Sequence, residues 1–349
     1  MLCVRLAALA CTVLVMLACG PQTSAPATGS ASKPASAPAA TQPAAAPTGP
    51  PVKVTVCVPS RSDQILPAFA AEDGGFLKQQ NIEAEIPFFA GGAVDAAFVA
   101  GQCDFIFGAG GIGPLLQGSD VTVVAVTTAI SPGQIYARPP IWSLADLKGH
   151  TLGTTGAGSL SWRVARYFLQ VNGLTPDEDV PVMALGDSAS TYGALIAGRV
   201  DSALLFPPQS FAAKKESLNM VYEAPPSLDI MTTGLVTSKR YLAANRDVVR
   251  RMVKGITDAM VRMKADESFY GEELRKFTNN PSLGPESVHE YWELTDQLFN
   301  VPPRGSLAGG VLALSLYAER PPDAQMEATA REWLDMSIVD ELYPPGASR

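Results

Sequence analysis

One short stretch of this chain recurs almost intact, and the repeat limits what the chain can fold into. Ala97-Phe-Val-Ala-Gly-Gln-Cys-Asp104 is echoed by Ala194-Leu-Ile-Ala-Gly-Arg-Val-Asp201. Each copy reads as an apolar helix end, a Gly suited to a left-handed cap, and an Asp entering a strand. The strands that follow are Phe105-Ile-Phe107 and Ala203-Leu-Leu205. The surroundings correspond too. Ahead of the first copy lie a β-rich run, Val52 to Val58 closed by Pro59, a helical stretch around Ile65 to Ala71, a break at Gly74-Gly75, a short helix from Phe76 and a strand from Ile82 to Phe89. Ahead of the second lie a strand over Thr151 to Thr155, a helix over Leu160 to Val171 stopped by Gly173, and a strand over Val180 to Leu185. Strand, helix, strand in one direction is the parallel βαβ pattern. If the two modules share only fold logic, the chain still has two α/β lobes.

Both modules place Gly and hydroxyl residues after strand ends and before helix starts. Open parallel sheets bind ligands outside the carboxyl ends of their strands, where helix N-termini offer free N–H groups. Two such edges facing one another make a cleft. Beyond Gly234 the pattern changes. After a short strand at Leu235 to Ser238, helices are predicted over Val248–Met263, Glu286–Phe299, Leu307–Tyr317 and Ala324–Met336, punctuated by Pro281, Pro302-Pro303 and Pro321-Pro322.

The N-terminal 51 residues are of a different kind. Arg5 and the apolar run Leu6 to Ala18 read as an export signal, too short to span a bilayer as a helix. Cys19 after Ala18 resembles the lipidated cysteine of bacterial lipoproteins, with ordinary cleavage and release as the alternative. Residues 20–51 are nearly all Ala, Pro, Ser, Thr and Gly, with Lys33 the only charge. Such a segment has too little apolar surface to fold, and at roughly 3 Å per residue it reaches up to ~90 Å from an anchor. A net charge of −8 without a basic stripe argues against nucleic acid. His150, His289, Cys57 and Cys103 show no metal-site spacing. A Cys57–Cys103 disulfide is open to an exported protein, but in a parallel sheet Cys57 near a strand end and Cys103 ahead of a strand start belong at opposite edges, which favours two unpaired, mostly buried thiols.

From Val52 to about Asp258 the chain resembles the nitrate/sulfonate/taurine-type substrate-binding proteins of ABC importers, within the type II periplasmic binding fold. The residues that carry the resemblance are Ser143-Leu-Ala-Asp-Leu-Lys-Gly149 with Thr151-Leu-Gly153, then Gly173-Leu174, Leu185-Gly186, Ala194-Leu195, Ala197-Gly198, Asp201 and Pro207. The resemblance implies two mostly parallel sheets flanked by helices. Lobe one would be residues 52–137 plus 236–349 and lobe two residues 138–235, with hinge crossings near Ala137 to Ile141 and Thr232 to Val236. It implies a monomer outside the cytoplasm that hands a small solute to a membrane permease, with no cofactor and no catalysis. Closure would be a hinge motion.

Candidate ligand contacts follow from the strand ends. In lobe one they are Ser60, Arg61 and Ser62, where Arg61 suits a bidentate bond to an anion, and Gly108, Ala109 and Gly110, whose backbone a ligand can approach closely. In lobe two they are Thr155, Gly156, Ala157, Gly158 and Ser159, with Trp162 and Arg163 in the next helical turn, then Asp187 and Ser188, and finally Phe206 and Pro207. Each has a duller reading as turn, cap or cover, and Ser159 is equally a helix cap. The run Gly108-x-Gly110-x-x-Gly113 follows a strand like a dinucleotide fingerprint, but Asp120 precedes the next strand instead of closing it. Catalysis lacks a nucleophile–base pair. The alternatives are an enzyme resembling the pyrimidine-precursor synthases of thiamine biosynthesis, and a solute-sensing receptor module. The ligand is read as a small organic anion such as a sulfonate or carboxylate, with a flat heterocycle the other option if Phe88, Phe89, Phe206 and Trp162 line the cleft.

Overall fold

The structure, a computed structural model, describes residues 49–346 except 60–61, 90–91, 110, 131–132, 208 and 226–227. The expected signal and linker, with Cys19, and the candidate contacts Ser60, Arg61 and Gly110 lie outside the described residues. Strands β1 (Val52–Cys57), β2 (Ile82–Glu85), β3 (Phe105–Gly108) and β4 (Thr122–Ile130) alternate with α1 (Leu66–Asp73), α2 (Phe76–Gln79), α3 (Ala93–Val99) and α4 (Ile112–Leu116). A second series follows: β5 (Gln134–Ala137), β6 (Leu152–Thr154), α5 (Leu160–Val171), β7 (Val182–Ala184), α6 (Ser188–Ile196), β8 (Ser202–Leu205), α7 (Gln209–Lys215) and β9 (Asn219–Glu223). After β10 (Asp229–Thr237) the described chain is helical: α8 (Lys239–Ala244), α9 (Arg246–Ala265), α10 (Glu267–Phe277), α11 (Pro285–Glu293), α12 (Thr295–Leu298), α13 (Leu307–Ala318), α14 (Ala324–Trp333) and α15 (Ser337–Leu342).

Two five-stranded sheets result, ordered β2-β1-β3-β10-β4 and β7-β6-β8-β5-β9. In each, three neighbouring strands run parallel and the fourth position holds an antiparallel strand, β10 or β5. The chain therefore leaves the first sheet after Ile130, enters the second at Gln134, and returns between Glu223 and Asp229. Both passages fall a few residues before the positions expected for the hinge. Ile135 and Ala137, at and just ahead of the first expected crossing, are buried in the second lobe's core.

The repeated stretch is a repeated structure. Gln102 N–H donates to the Ala97 carbonyl at 3.0 Å, and Arg199 N–H donates to Ala194 at 2.8 Å. Gly101 and Gly198 carry the left-handed φ of 75° and 69° that such a helix stop requires. Asp104 accepts from Thr55 N–H at 2.9 Å and Asp201 from Thr151 N–H at 2.8 Å. In both lobes the acid therefore ties the helix exit to the neighbouring strand.

The expectation of free thiols is overturned: Cys57 and Cys103 form a disulfide, with Cα atoms 5.8 Å apart. The opposite-edges argument assumed strands in step, and they are staggered. Phe105, the first residue of β3, lies level with Val56, next to last in β1, so the turn ahead of β3 comes alongside the end of β1.

Helix α13 explains its own composition. Ala313 and Leu314 pack into the first lobe's core beneath α14, whereas Leu312 and Leu316 pack into the second lobe's core. A helix apolar on all sides is one buried on all sides.

Closing a loop of 46 residues removes unfolded-state entropy worth about 4 kcal/mol. Reduction should lower the denaturation midpoint accordingly, and the untreated folded protein should show no alkylation at Cys57 or Cys103 after denaturation without reductant. Labelling of either residue would refute the bond.

Candidate functional site

The carboxyl ends of β6, β7 and β8 carry the second lobe's candidates. Thr154 ends β6, and the following loop turns into α5 with Ser159 as its cap, accepting from Trp162 N–H at 3.3 Å. Three hydroxyls meet there: Thr155 Oγ1 lies 2.9 Å from Ser159 Oγ and 2.5 Å from Ser161 Oγ, and the two serines are 3.3 Å apart. Thr155 N–H also donates to Ser161 Oγ at 3.2 Å. Three O–H hydrogens shared among three contacts can turn toward an incoming oxygen or nitrogen without a change of backbone. Ser161 was missed because it was read as interior to the helix. Gly156 sits beside Gly186, where a Cβ would meet the Gly186 carbonyl at 4.0 Å, so the loops after β6 and β7 adjoin. Asp187 caps α6, accepting from Ser190 N–H at 2.7 Å, and this bond holds its carboxyl below the usual range. Ser188 is the first residue of α6.

The first lobe presents the matching edge. Gly108 is required by the close approach of Pro59, whose ring a Cβ would meet at 2.7 Å. Gly111 N–H donates to Asp95 Oδ1 at 2.7 Å, and burial raises the Asp95 pKa despite that bond. Ser62 precedes a 3-10 turn, Asp63–Ile65. Sequence reasoning passed over Asp63 and Gln64 because an acidic loop residue ahead of a helix reads as a solvated cap. Here Asp63 is only 5% exposed, and burial pushes its carboxyl up to about 7. Gln64 Oε1 accepts from Thr233 Oγ1 at 3.0 Å, and Thr233 lies opposite Thr128 on β4.

Two bridges join the edges. Arg163 donates through Nη1 to the carbonyls of Leu316 and Tyr317, at 3.1 and 3.0 Å, and to Glu319, while Nε donates to Gly158 at 3.0 Å. It thus caps the end of α13, a long-range role that nothing near Arg163 in the sequence signals. Its guanidinium lies 4.6 Å from the centre of the Tyr317 ring, and the Tyr317 hydroxyl donates to the Ala109 carbonyl at 3.4 Å. Burial, with Asp95 nearby, pushes that phenol up to about 12 against the pull of Arg163. Ala109 of one lobe and the Gly158–Arg163 segment of the other are therefore linked through a single tyrosine. The second bridge sets Phe211 of α7 edge-on to Tyr291 of α11, ring centres 5.1 Å apart, with Lys215 Nζ 3.4 Å from Glu290.

The remaining candidates stand at the margins. Trp162 lies beneath Arg166, 4.4 Å from its ring centre, and Arg166 pairs with Asp177. Phe206 packs partly into the second lobe's core beside Gly133, where a Cβ would meet its ring at 3.2 Å; Pro207 is buried. Both histidines sit elsewhere, His150 beside Asp201 at the amino end of β6 and His289 beside Glu267. A surface recess lined by Thr122, Lys239, Arg246 and Glu332 lies at the amino end of β4, on the wrong edge for ligand binding by this fold. Among the described residues no group of three or more metal-ligating side chains occurs, and no helix is long and apolar enough to cross a membrane.

Two sheets with this shared order, facing each other at their strand ends, define the periplasmic-binding-protein fold, and solved structures with that fold superpose on most of the chain. The alkanesulfonate-binding protein SsuA of Xanthomonas axonopodis pv. citri, bound to MOPS, matches with a TM-score of 0.62 at 19% identity, covering 84% of this chain and 98% of that one. The periplasmic nitrate-binding protein NrtA of Synechocystis PCC 6803 matches with a TM-score of 0.64 at 10% identity, covering 85% and 90%. Residues 62–267 match the family model described as NMT1/THI5 like, and the chain belongs to that family. It is also similar to a Bacillus subtilis (strain 168) protein named "Putative binding protein YtlA", 22% identical over 231 residues, or 59% of this chain; the match spans 65% of that relative's length.

Two outcomes test this geometry. Arg163→Ala should cost about 2 kcal/mol, because it strips charge-assisted bonds from buried carbonyls, whereas Glu319→Ala should cost under about 0.5 kcal/mol, its carboxylate being half-exposed. Equal costs in chemical denaturation would show that the surface ion pair, not the cap, carries the link. For Asp63, the folded carboxyl holds its proton to a higher pH than the unfolded one, so its contribution makes stability fall between about pH 4 and pH 7. Asp63→Asn should flatten that fall and gain stability relative to the parent at pH 8, by on the order of 4 kcal/mol at most. Parallel pH profiles for the two proteins would contradict the burial.

Proposed function

We propose that this protein captures a small solute between its lobes and delivers it to an ABC import permease, working outside the cytoplasm on a lipid anchor at Cys19. The observation that carries the reading is the pair of strand-end edges facing one another in a member of this family. Thr155, Ser159 and Ser161 offer hydroxyls on one side, and Ala109, whose carbonyl accepts from the Tyr317 hydroxyl, lies on the other. That similar proteins are named for binding sulfonate, nitrate or an unspecified partner supports a binding role over catalysis. The site acts without a cofactor, in one copy of the chain. Its contacts include Ser60, Arg61, Ser62, Ala109, Gly110, Gly156, Ala157, Gly158, Asp187, Ser188 and Phe206, with Trp162, Arg163 and Pro207 shaping the walls. Lobe closure is a hinge motion where the chain crosses between the two sheets, and the permease reads the closed state. The spacer over residues 20–51 lets the domain sample its partner.

The test is a thermal melt of the purified protein, freed of co-purified ligand, against sulfonates, nitrate, carboxylates, pyrimidines and vitamins. A specific solute at 100 times its Kd should stabilise the fold by about 2.7 kcal/mol, a shift of several degrees. Thr155→Ala with Ser161→Ala should then weaken that solute by roughly tenfold or more. A response untouched by the double substitution would move the site elsewhere, and a flat response to every class would count against solute capture.

A further inference from the structure

Among the described residues, the buried polar atoms of the first lobe that find no hydrogen-bond partner include Asp63 Oδ2 and Thr128 Oγ1. They are linked through intermediates: Asp63 adjoins Gln64, Gln64 accepts from Thr233, and Thr233 lies opposite Thr128, which places both hydroxyls on one face of the sheet. The group stands at the strand-end edge, next to the loop after β1. Tyr291 is close enough to Asp63 for that carboxylate to push its phenol further up, and Tyr291 carries Phe211 of the second lobe edge-on against its ring. Asp63 therefore lies where the two lobes meet.

Burying a carboxylate without compensation costs several kcal/mol. What the described residues supply in return is small: Asp63 Oδ1 accepts the Gln64 N–H at 3.0 Å, and no described cation contributes to its ionisation. The rings around it, Tyr270 and Tyr291, carry phenols that its charge pushes further from ionising. Above about pH 7, where the carboxyl is ionised, an anion brought here would be repelled, whereas a protonated nitrogen or an N–H group would both neutralise the carboxylate and satisfy its vacant oxygen. We propose that Asp63 is the anchor for a nitrogen-bearing end of the solute, an amine or an N–H of a ring, so that the cargo is a donor-bearing molecule whose other end meets the second lobe's hydroxyls. The inference rests on solute capture between the lobes and narrows its ligand from a simple anion.

Matched pairs that differ only in the nitrogen test it: taurine with ethanesulfonate, β-alanine with propionate, and 2-aminopyridine with pyridine, each titrated at up to millimolar concentration into the full protein. The expected result is that the amino-bearing member of at least one pair binds and its partner, which lacks the amino group, does not. Asp63→Asn, shown folded by its circular dichroism and a melting temperature no lower than the parent's, should weaken that binder roughly tenfold to hundredfold. If ethanesulfonate, propionate or pyridine binds as tightly as its partner, or if Asp63→Asn binds within twofold of the parent, the anchor is lost while solute capture stands. Silence from all six compounds in a folded sample counts against both.

Discussion

Each sheet is completed by a strand that arrives from the other lobe. β5, which begins the second lobe, and β10, which returns to the first, take the antiparallel fourth position in their sheets. With the strands placed so, the chain has no choice but to cross between sheets twice, and the crossings must lie side by side. Neither core is complete until both crossings have been made. Helix α13 then fills the wedge between the cores, which is why its composition has no polar face to spare and why its last carbonyls are met by a guanidinium from the far lobe.

That arrangement divides the polar chemistry of the cleft unevenly. The second lobe contributes hydroxyls at the start of a three-turn helix, groups that donate or accept as required. The first lobe contributes an acid with little compensation, a glutamine and two threonines around the returning strand. Arg163, the most obvious cation near the described edges, is already spent on α13. On the proposed reading, a solute held between such walls meets donors and acceptors on one side and a buried, poorly compensated carboxyl on the other. Selectivity would then rest as much on what the first lobe refuses as on what the second lobe offers.

The sequence made the modules legible wherever the signals were local. Helix α5 was predicted at its observed bounds because Ser159 caps it and Gly173 follows it, and the Gly-Asp repeat marked equivalent corners of both lobes. Relations between distant segments were not legible. The Cys57–Cys103 bond depends on a stagger between β1 and β3 that no local pattern encodes. β5 is four residues long and ends where the first hinge crossing was expected, near Ala137 to Ile141, so its place in the second sheet was not legible. Arg163 was taken for a ligand group because its partners, Leu316 and Tyr317, lie some 150 residues away. Asp63 was overlooked since burial of a loop acid is set by α10 and α11, which pack over it from the far end of the chain.

The position of β1 has a mechanical consequence. Val52 to Thr55 pair in register with β2, Val56 and Cys57 pair with β3, and the disulfide follows at the strand's last residue. A load drawn through the chain ahead of Val52 enters along the strand axis, so the rungs to β2 bear it together in shear instead of peeling one after another. Beyond them the force meets a covalent staple to the corner ahead of β3. The strand nearest the N-terminal segment is thus built to be pulled.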